Sequence, residues 1–317
     1  MELTNRALCQ NRSTKLSCSA LVCTRNRPED IARFLGSLKT QTSLPHELVV
    51  VDSSDQPLAQ NTHFNELCRQ LEQQQVAIVY AHTRPGLTYQ RNQAVARATS
   101  KVLYFFDDDV ILDPDYLATM QSVFEANPHY AGGMGNVTND SYKKPLIDYS
   151  LRKLFLLPRL DDSGTFTASG MPMHPYGAPS PAHVHVLGGC NMAYRRAIFA
   201  RHHFDERLGG YGYMEDVDLS YRVSRYAPLF YNPCATLKHM NSPLSRDKVE
   251  ANRAMFIRNY SYLFFKNIYP HARWRLLLYY WSVIGLFVQV LMVRDLAFIR
   301  GYIRGLREFY KTRLPSS

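Results

Sequence analysis

Apolar residues recur along the first 130 positions in two alternating rhythms. Short continuous runs at Ser19–Cys23, Glu47–Val51, Val76–Tyr80 and Val102–Phe106 read as strands, the second buried on both faces. Between them the spacing changes to three and four. Ile31, Phe34, Leu35 and Leu38 mark one helix, with Pro28 in its first turn, and Phe64, Leu67, Cys68 and Leu71 mark a second. A third covers Thr88 to Ala98, with Ala94, Val95 and Ala98 inward. A fourth covers Pro114 to Asn127 and carries Leu117, Met120, Val123 and Phe124.

Strands that alternate with helices require right-handed crossovers and a mostly parallel sheet, so the fold class is α/β. Ligands of such sheets bind outside the carboxyl ends of the strands. The loops there are Thr24–Arg27, Asp52–Asp55, His82–Gly86 and Asp107–Asp109. The pattern then breaks down: prolines interrupt residues 139–185, an irregular insertion with a short helix expected near Tyr149–Leu156 and a substrate-covering role. Order resumes at Val184–Leu187 and Asn191–Tyr194, and another helix is expected from about Asp216.

The last segment has a different character. Leu276 to Val293 carries no formal charge, close to the ~20 apolar residues that a bilayer span needs. After it, Leu296, Ile299, Tyr302, Ile303, Leu306 and Phe309 recur at helical spacing, with Arg300, Arg304, Arg307 and Lys311 on another face. That is a basic amphipathic helix, suited to a membrane interface. The charge agrees. From Arg258 onward ten Lys or Arg face only Asp295 and Glu308, a net +8 of the chain's +10. Trp274, Tyr279, Tyr280, Trp281 and Phe287 lie among these charges and favour an anionic membrane surface over a nucleic-acid partner. The six cysteines form no CxxC pair and read as reduced thiols. Met1–Lys15 is polar and lacks the apolar core of a secretory signal. Together these place the protein in the cytoplasm, peripheral or monotopic on the cytoplasmic membrane face.

Asp107-Asp-Asp109 is the sharpest chemical signal. Adjacent carboxylates after a buried strand repel one another unless a cation or donors compensate them, and Mg²⁺ or Mn²⁺ is a natural partner. A solvated turn capping the next helix would look the same in isolation. Asp52 ends the second strand in the same layer; it reads as an acceptor for a nucleobase or ribose, or as an Asx turn with Ser54. Glu215-Asp216 follows the glycine-rich run Gly209–Gly212. A carboxylate at a helix N-terminus is stabilised in its ionised form, which suits a general base, although plain capping explains it equally well. His239 follows the apolar stretch Ala235–Lys238 and becomes a metal ligand only beside bound carboxylates. GxGxxG, P-loop, HExxH and GxSxG motifs are absent.

In this order the pieces resemble the family 2 glycosyltransferases of the GT-A fold. The likeness runs from Ser19 to His239 through Val22–Pro28, Glu47–Ser54, Gly86–Asn92, Phe106–Val110, Gly188–Arg196, Phe204–Glu206 and Glu215–Leu219. It implies a GT-A domain over 1–245, with 139–185 on the acceptor side; the helical membrane-associating region expected over 246–317 is no part of the family pattern and rests on composition. Thr24, Arg25 and Asp52 would contact the nucleotide, and Arg91 and Asn92 its ribose or diphosphate. Asp107 and Asp108 would face the diphosphate. Asp107, Asp109 and His239 would hold Mn²⁺ or Mg²⁺. Asp216 would be the catalytic base, with Glu215 the second choice, and Gly188, Gly189 and Asn191 would line the acceptor side. The expected substrates are a UDP-, GDP- or dTDP-sugar and a glycan or lipid-linked acceptor. The QxxRW element and multiple spans of processive synthases are absent, which implies transfer of single sugars; the single displacement that the resemblance implies gives inversion. Two rival readings are a metal-dependent nucleotidyltransferase or phosphatase, and a non-catalytic protein that binds anionic surfaces through its tail.

Overall fold

A computed structural model describes residues 16–139, 146–158, 163–240 and 249–313. Met1–Lys15 and parts of the 139–185 insertion lie outside these residues. The chain forms two compact units, one within 1–141 and 175–240, the other within 142–174 and 241–317.

The first unit is built on a nine-stranded sheet. Its strands are β1 (Cys18–Thr24), β2 (Glu47–Asp52), β3 (Ala77–His82), β4 (Val102–Asp107), β5 (Val110–Leu112), β6 (Gly132–Val137), β7 (Ala182–Val184), β8 (Met192–Arg195) and β9 (Leu229–His239). They lie in the order β3-β2-β1-β4-β8-β6-β9-β5, with β7 also on β9. The run β3-β2-β1-β4 is parallel, as the crossovers require. Beyond β4 the sheet is mixed, because β8 enters antiparallel and β6 pairs parallel with β9.

Helices α1 (Pro28–Lys39), α2 (Thr62–Gln73), α3 (Leu87–Arg97) and α4 (Tyr116–Ala126) connect the early strands, and α6 (Glu215–Ser224) precedes β9. In α1, Pro28 opens the helix and Ile31, Phe34, Leu35 and Leu38 are fully buried. Asn61 caps α2 by accepting the Phe64 amide at 2.9 Å. The expected apolar faces of α1, α2 and α4 are all buried. Helix α3 differs: it turns Thr88, Gln90 and Arg91 inward beside Ala94. Gln90 donates to the carbonyls of Thr24 and Val51 at the ends of β1 and β2.

Strands β5 and β6 and the full length of β9 were not anticipated. Gly132, Gly133 and Gly135 remove the period-two signal from β6. A Cβ at these positions would strike Tyr194, Phe230 and Tyr116, respectively, so glycine stands where bulky neighbours close over a strand held by its pairing with β8 and β9.

The second unit contains α5 (Leu146–Leu154), α7 (Val249–Leu263), α8 (Leu276–Val293) and α9 (Leu296–Arg313). The helices expected near Tyr149, over Leu276–Val293 and after Leu296 are present. Helices α7 and α9 pack closely through Gly301 and Gly305, where a Cβ would meet the Glu250 and Ala254 carbonyls. A buried polar seam joins α7 to α8: Tyr260 bonds Ser282 at 2.7 Å, and the Tyr279 hydroxyl donates to Ser261 at 2.7 Å.

At the amino end of the parallel strands, Glu47 accepts from Ser19, Thr99 and Ser100. Burial works to raise its carboxyl, but these bonds outweigh it and hold the group below the usual carboxylate range. A depressed folded-state pKa stabilises above the unfolded value, about 4.3, and that contribution disappears as pH falls through the folded value. Glu47→Gln should therefore cost ~1–2 kcal/mol in urea unfolding at pH 7. The gap from wild type should close as the pH drops below about 4; a gap that stays constant with pH would contradict this role.

Candidate active site

The register aligns Thr24 with Asp52 and Cys23 with Asp107, so three strands end at one level and their loops share one edge. A second, long-range pairing brings in the histidine. Strand β5 runs antiparallel to β9 with Val110 opposite His239, and the Met240 amide donates to the Asp109 carbonyl at 2.9 Å. Asn139 brackets His239, accepting its amide at 2.8 Å and donating to its carbonyl at 2.9 Å. The ligand atoms of Asp107, Asp109 and His239 consequently lie within 4.8 Å of one another.

His239 Nε2 is 3.1 Å from Asp109 and 4.0 Å from Asp107. Burial works to lower its pKa. Hydrogen bonds with Asp109 and Cys190 and the charge of Asp107 override that and push it up to about 11.

Asp108 turns the other way. It accepts the Thr24 hydroxyl at 2.7 Å and the Arg27 guanidinium at 2.9 Å. Burial raises its carboxyl to about 7, with Arg27 and Thr24 restraining the rise. Arg27 was not among the residues singled out from the sequence. Its place in the first carboxyl-end loop was the available signal, yet nothing local pairs it with Asp108, 81 positions away.

Arg91 is the hub. It is 2% exposed, and its guanidinium donates to Glu215, to Asp107 at 3.0 Å and to the Gly189 carbonyl at 2.9 Å. The Gly189 amide in turn donates to Asp216 Oδ2 at 2.7 Å. Asp107 and Asp216, 109 positions apart in sequence, are therefore linked through two intermediaries. A Cβ at Gly189 would lie 3.0 Å from Glu215 and 3.3 Å from Asp216, so any larger residue would press on both carboxylates. Met214 adopts a left-handed conformation just before α6, and Gly210 and Gly212 have positive φ, so this loop turns sharply into the helix that carries both carboxylates.

The two carboxylates have different environments. Glu215 is buried against Arg91, and burial pushes its pKa well up, with Arg91 opposing. Asp216 is half-buried at the first turn of α6. An acceptor hydroxyl can reach Asp216 more readily than Glu215.

Several expected contacts point inward. Asp52 is fully buried and accepts from the Ser54 and Leu58 amides and the Tyr80 hydroxyl, each at 2.8 Å. Asn92 ties α3 to the Phe204 backbone and to Glu206. Asn191 is fully buried and donates to the Gly135 carbonyl at 3.0 Å. Arg25 is exposed and lies 3.7 Å from Asp55. Gly188 leaves room for the Tyr176 hydroxyl.

A parallel α/β half-sheet with aspartates and a histidine gathered at its carboxyl edge defines a glycosyltransferase of the GT-A type. Residues 19–202 match glycosyl transferase family 2, and the chain belongs to that family. A glucosyl-dolichyl phosphate glucuronosyltransferase of Haloferax volcanii is 27% identical over 129 residues, which is 39% of this chain and 39% of that protein. The chain thus aligns with well under half the length of that curated relative. Among solved structures, the mannosyltransferase PcManGT of Pyrobaculum calidifontis, in complex with GDP-Man and Mn²⁺, superposes with a TM-score of 0.57 at 15% identity. That match covers 98% of this chain and 94% of the other. GalNAc-T7 with UDP, GalNAc and Mn²⁺ gives a TM-score of 0.53 at 17% identity over 72% of this chain and 44% of that one. At these identities the structural likeness is one of fold.

Replacing Arg91 with Ala leaves two carboxylates uncompensated and should cost ~3–5 kcal/mol, read by chemical denaturation. Arg91→Lys keeps the charge but not the planar fork, so it should cost less while still lowering the midpoint. A wild-type midpoint for Arg91→Ala would rule out the hub.

Proposed function

We propose that the protein transfers a single sugar, with inversion, from a nucleotide diphosphate donor to a hydroxyl of a glycan or lipid-linked saccharide. One observation carries this reading: the cluster of Asp107, Asp109 and His239 is tied through Arg91 and Gly189 to the half-buried Asp216. A site for donor phosphate and a site for a proton acceptor then adjoin each other.

The donor set fits a divalent cation. Two carboxylates and one imidazole are in coordination range of each other; the oxygens suit Mg²⁺ or Mn²⁺, and the imidazole favours Mn²⁺ of the two. Such an ion would supply Lewis-acid stabilisation of the departing diphosphate. Asp107, Asp109 and His239 would hold it; Asp107 is oriented by Arg91, and the backbone of His239 by Asn139. Thr24 and Arg27 fix Asp108, which keeps the acidic turn from splaying. Asp52 shapes the loop over Ser53–Leu58 at the nucleotide end. The name of the Haloferax relative and the PcManGT complex support a nucleotide-sugar donor and a lipid-linked acceptor for this chain as well.

Asp216 serves as the base. It takes the proton of the acceptor hydroxyl as that oxygen bonds to the anomeric carbon. The bond from that carbon to the diphosphate breaks on the opposite face, and the nucleoside diphosphate leaves with the electron pair. Gly189 holds the carboxylate in place through its amide. Glu215 acts through Arg91 as a positioning residue. The basic, apolar C-terminal region keeps the enzyme at an anionic membrane surface on the cytoplasmic side, where a lipid-linked acceptor presents its sugar.

Asp216→Asn should lower kcat by ~10²–10⁴ while leaving donor affinity intact. Activity within a few-fold of wild type would remove Asp216 from this role. In a thermal-shift screen of UDP-, GDP- and dTDP-sugars, one nucleotide should raise the midpoint only when Mn²⁺ or Mg²⁺ is present, and Asp109→Ala should abolish that rise. Stabilisation by a nucleotide sugar without metal, or unchanged in Asp109→Ala, would refute the phosphate-side assignment.

A further inference from the structure

The twenty residues Arg273–Met292 are long and apolar enough to cross a membrane by composition alone. Their surroundings in the second unit oppose that. One side of α8 is built inward: Tyr279 and Ser282 are fully buried, followed by Leu286 and Val290 on the same face. The opposite side is an apolar stripe at spacings of four, three and seven, formed by Leu277, Trp281, Ile284 and Leu291, with Trp274 exposed in the short 3-10 turn that leads into the helix. Leu277 is 77% exposed. Only one arc of the helix is available to lipid.

The partner helix decides the orientation. Tyr302 on α9 donates its hydroxyl to the Val283 carbonyl on α8 and stacks near Phe287, while Tyr310 meets Tyr280. Rising numbers on α9 therefore match falling numbers on α8, and the two form an antiparallel hairpin. Arg300, Arg304, Arg307 and Lys311 are all exposed on one side of α9. Their spacing of four, three and four makes them a continuous stripe of ~16 Å. Leu296, Ile303 and Tyr310 are exposed beside it.

If α8 stood across a bilayer, this pairing would carry the basic stripe into the middle of the hydrocarbon. Each Arg or Lys there costs ~2.5–3.5 kcal/mol. Laid in the plane of the interface, the same hairpin meets no such penalty. The apolar stripe then contacts acyl chains, and the basic stripe meets headgroup phosphates. We infer that α8 and α9 form an in-plane, monotopic anchor for an anionic membrane and that α8 does not span it. This rests on the membrane-surface part of the preceding reading and settles on lipid as the occupant, because a basic rim complements anionic headgroups.

The chain supplies its own probes, since Trp274 and Trp281 are its only tryptophans and both are exposed. Trp274→Phe and Trp281→Phe leave one reporter each in the full-length protein. With phosphatidylglycerol-containing vesicles, quenching by lipids brominated at shallow and deep positions reads the depth of each. An in-plane helix puts both at similar shallow depth; a spanning helix separates them by ~10 Å along the normal. A depth difference of that size overturns the inference while leaving membrane binding intact. Arg300→Gln, Arg307→Gln and Lys311→Gln together should weaken partitioning by roughly 100-fold, and vesicles of phosphatidylcholine alone should bind far less. Equal binding to both vesicle types, or a stable dimer with no vesicle binding, refutes the anchor. Neither result touches the sugar-transfer reading, which is scored separately by release of nucleoside diphosphate in vesicle-free solution.

Discussion

Charge compensation governs this molecule. Asp107, Asp108, Asp109, Glu215 and Asp216 converge where the parallel strands end, and a low-dielectric setting makes mutual repulsion severe. Two guanidiniums and an imidazole answer it: Arg27 pairs with Asp108, His239 faces Asp107 and Asp109, and Arg91 spans Asp107 and Glu215. The parallel register places the first three carboxylates. Helix α6 and its glycine-dependent entry turn place the other two. Arg91, on α3, touches both sets, and its guanidinium geometry suits that task.

The same arrangement separates roles between neighbours that look alike in sequence. Glu215 and Asp216 are adjacent, yet one is buried against a guanidinium and the other is half-buried and oriented by a backbone amide. Asp107, Asp108 and Asp109 alternate in direction because they leave a strand, so the outer two face His239 while the middle one faces Thr24 and Arg27. Arg91 is buried between the two sets, bonded to Glu215, Asp107 and the Gly189 carbonyl.

The second unit follows a different physical rule. Its α7–α9 contact depends on Gly301 and Gly305 letting backbones approach, and its α7–α8 contact is a seam of tyrosine and serine hydroxyls. A helix satisfied by such a seam on one side has only its other side left for lipid.

Much was legible without coordinates. The apolar runs of β1, β2 and β4 and the helical faces of α1, α2 and α4 are local patterns, and local patterns survive translation into structure because burial enforces their period. The rule that ligands gather at strand carboxyl ends located Thr24, Asp107 and Asp109. His239 and Asp216 were reached through the order of motifs. Other features were not legible. Strand β6 hid behind glycines whose meaning lies in Tyr194, Phe230 and Tyr116 from elsewhere in the chain. The inward turn of Gln90 and Arg91 contradicts the hydrophobic period of their helix, because both are needed at carbonyls and carboxylates far off in sequence. By itself the chain determined which segments become strands and helices and which residue types reach the strand ends. Only the tertiary structure decided which charge meets which, and that Asp52, Arg91 and Asn191 are buried. Periodicity is a property of neighbours along the chain, whereas ion pairing depends on distances that exist only after β5 has found β9.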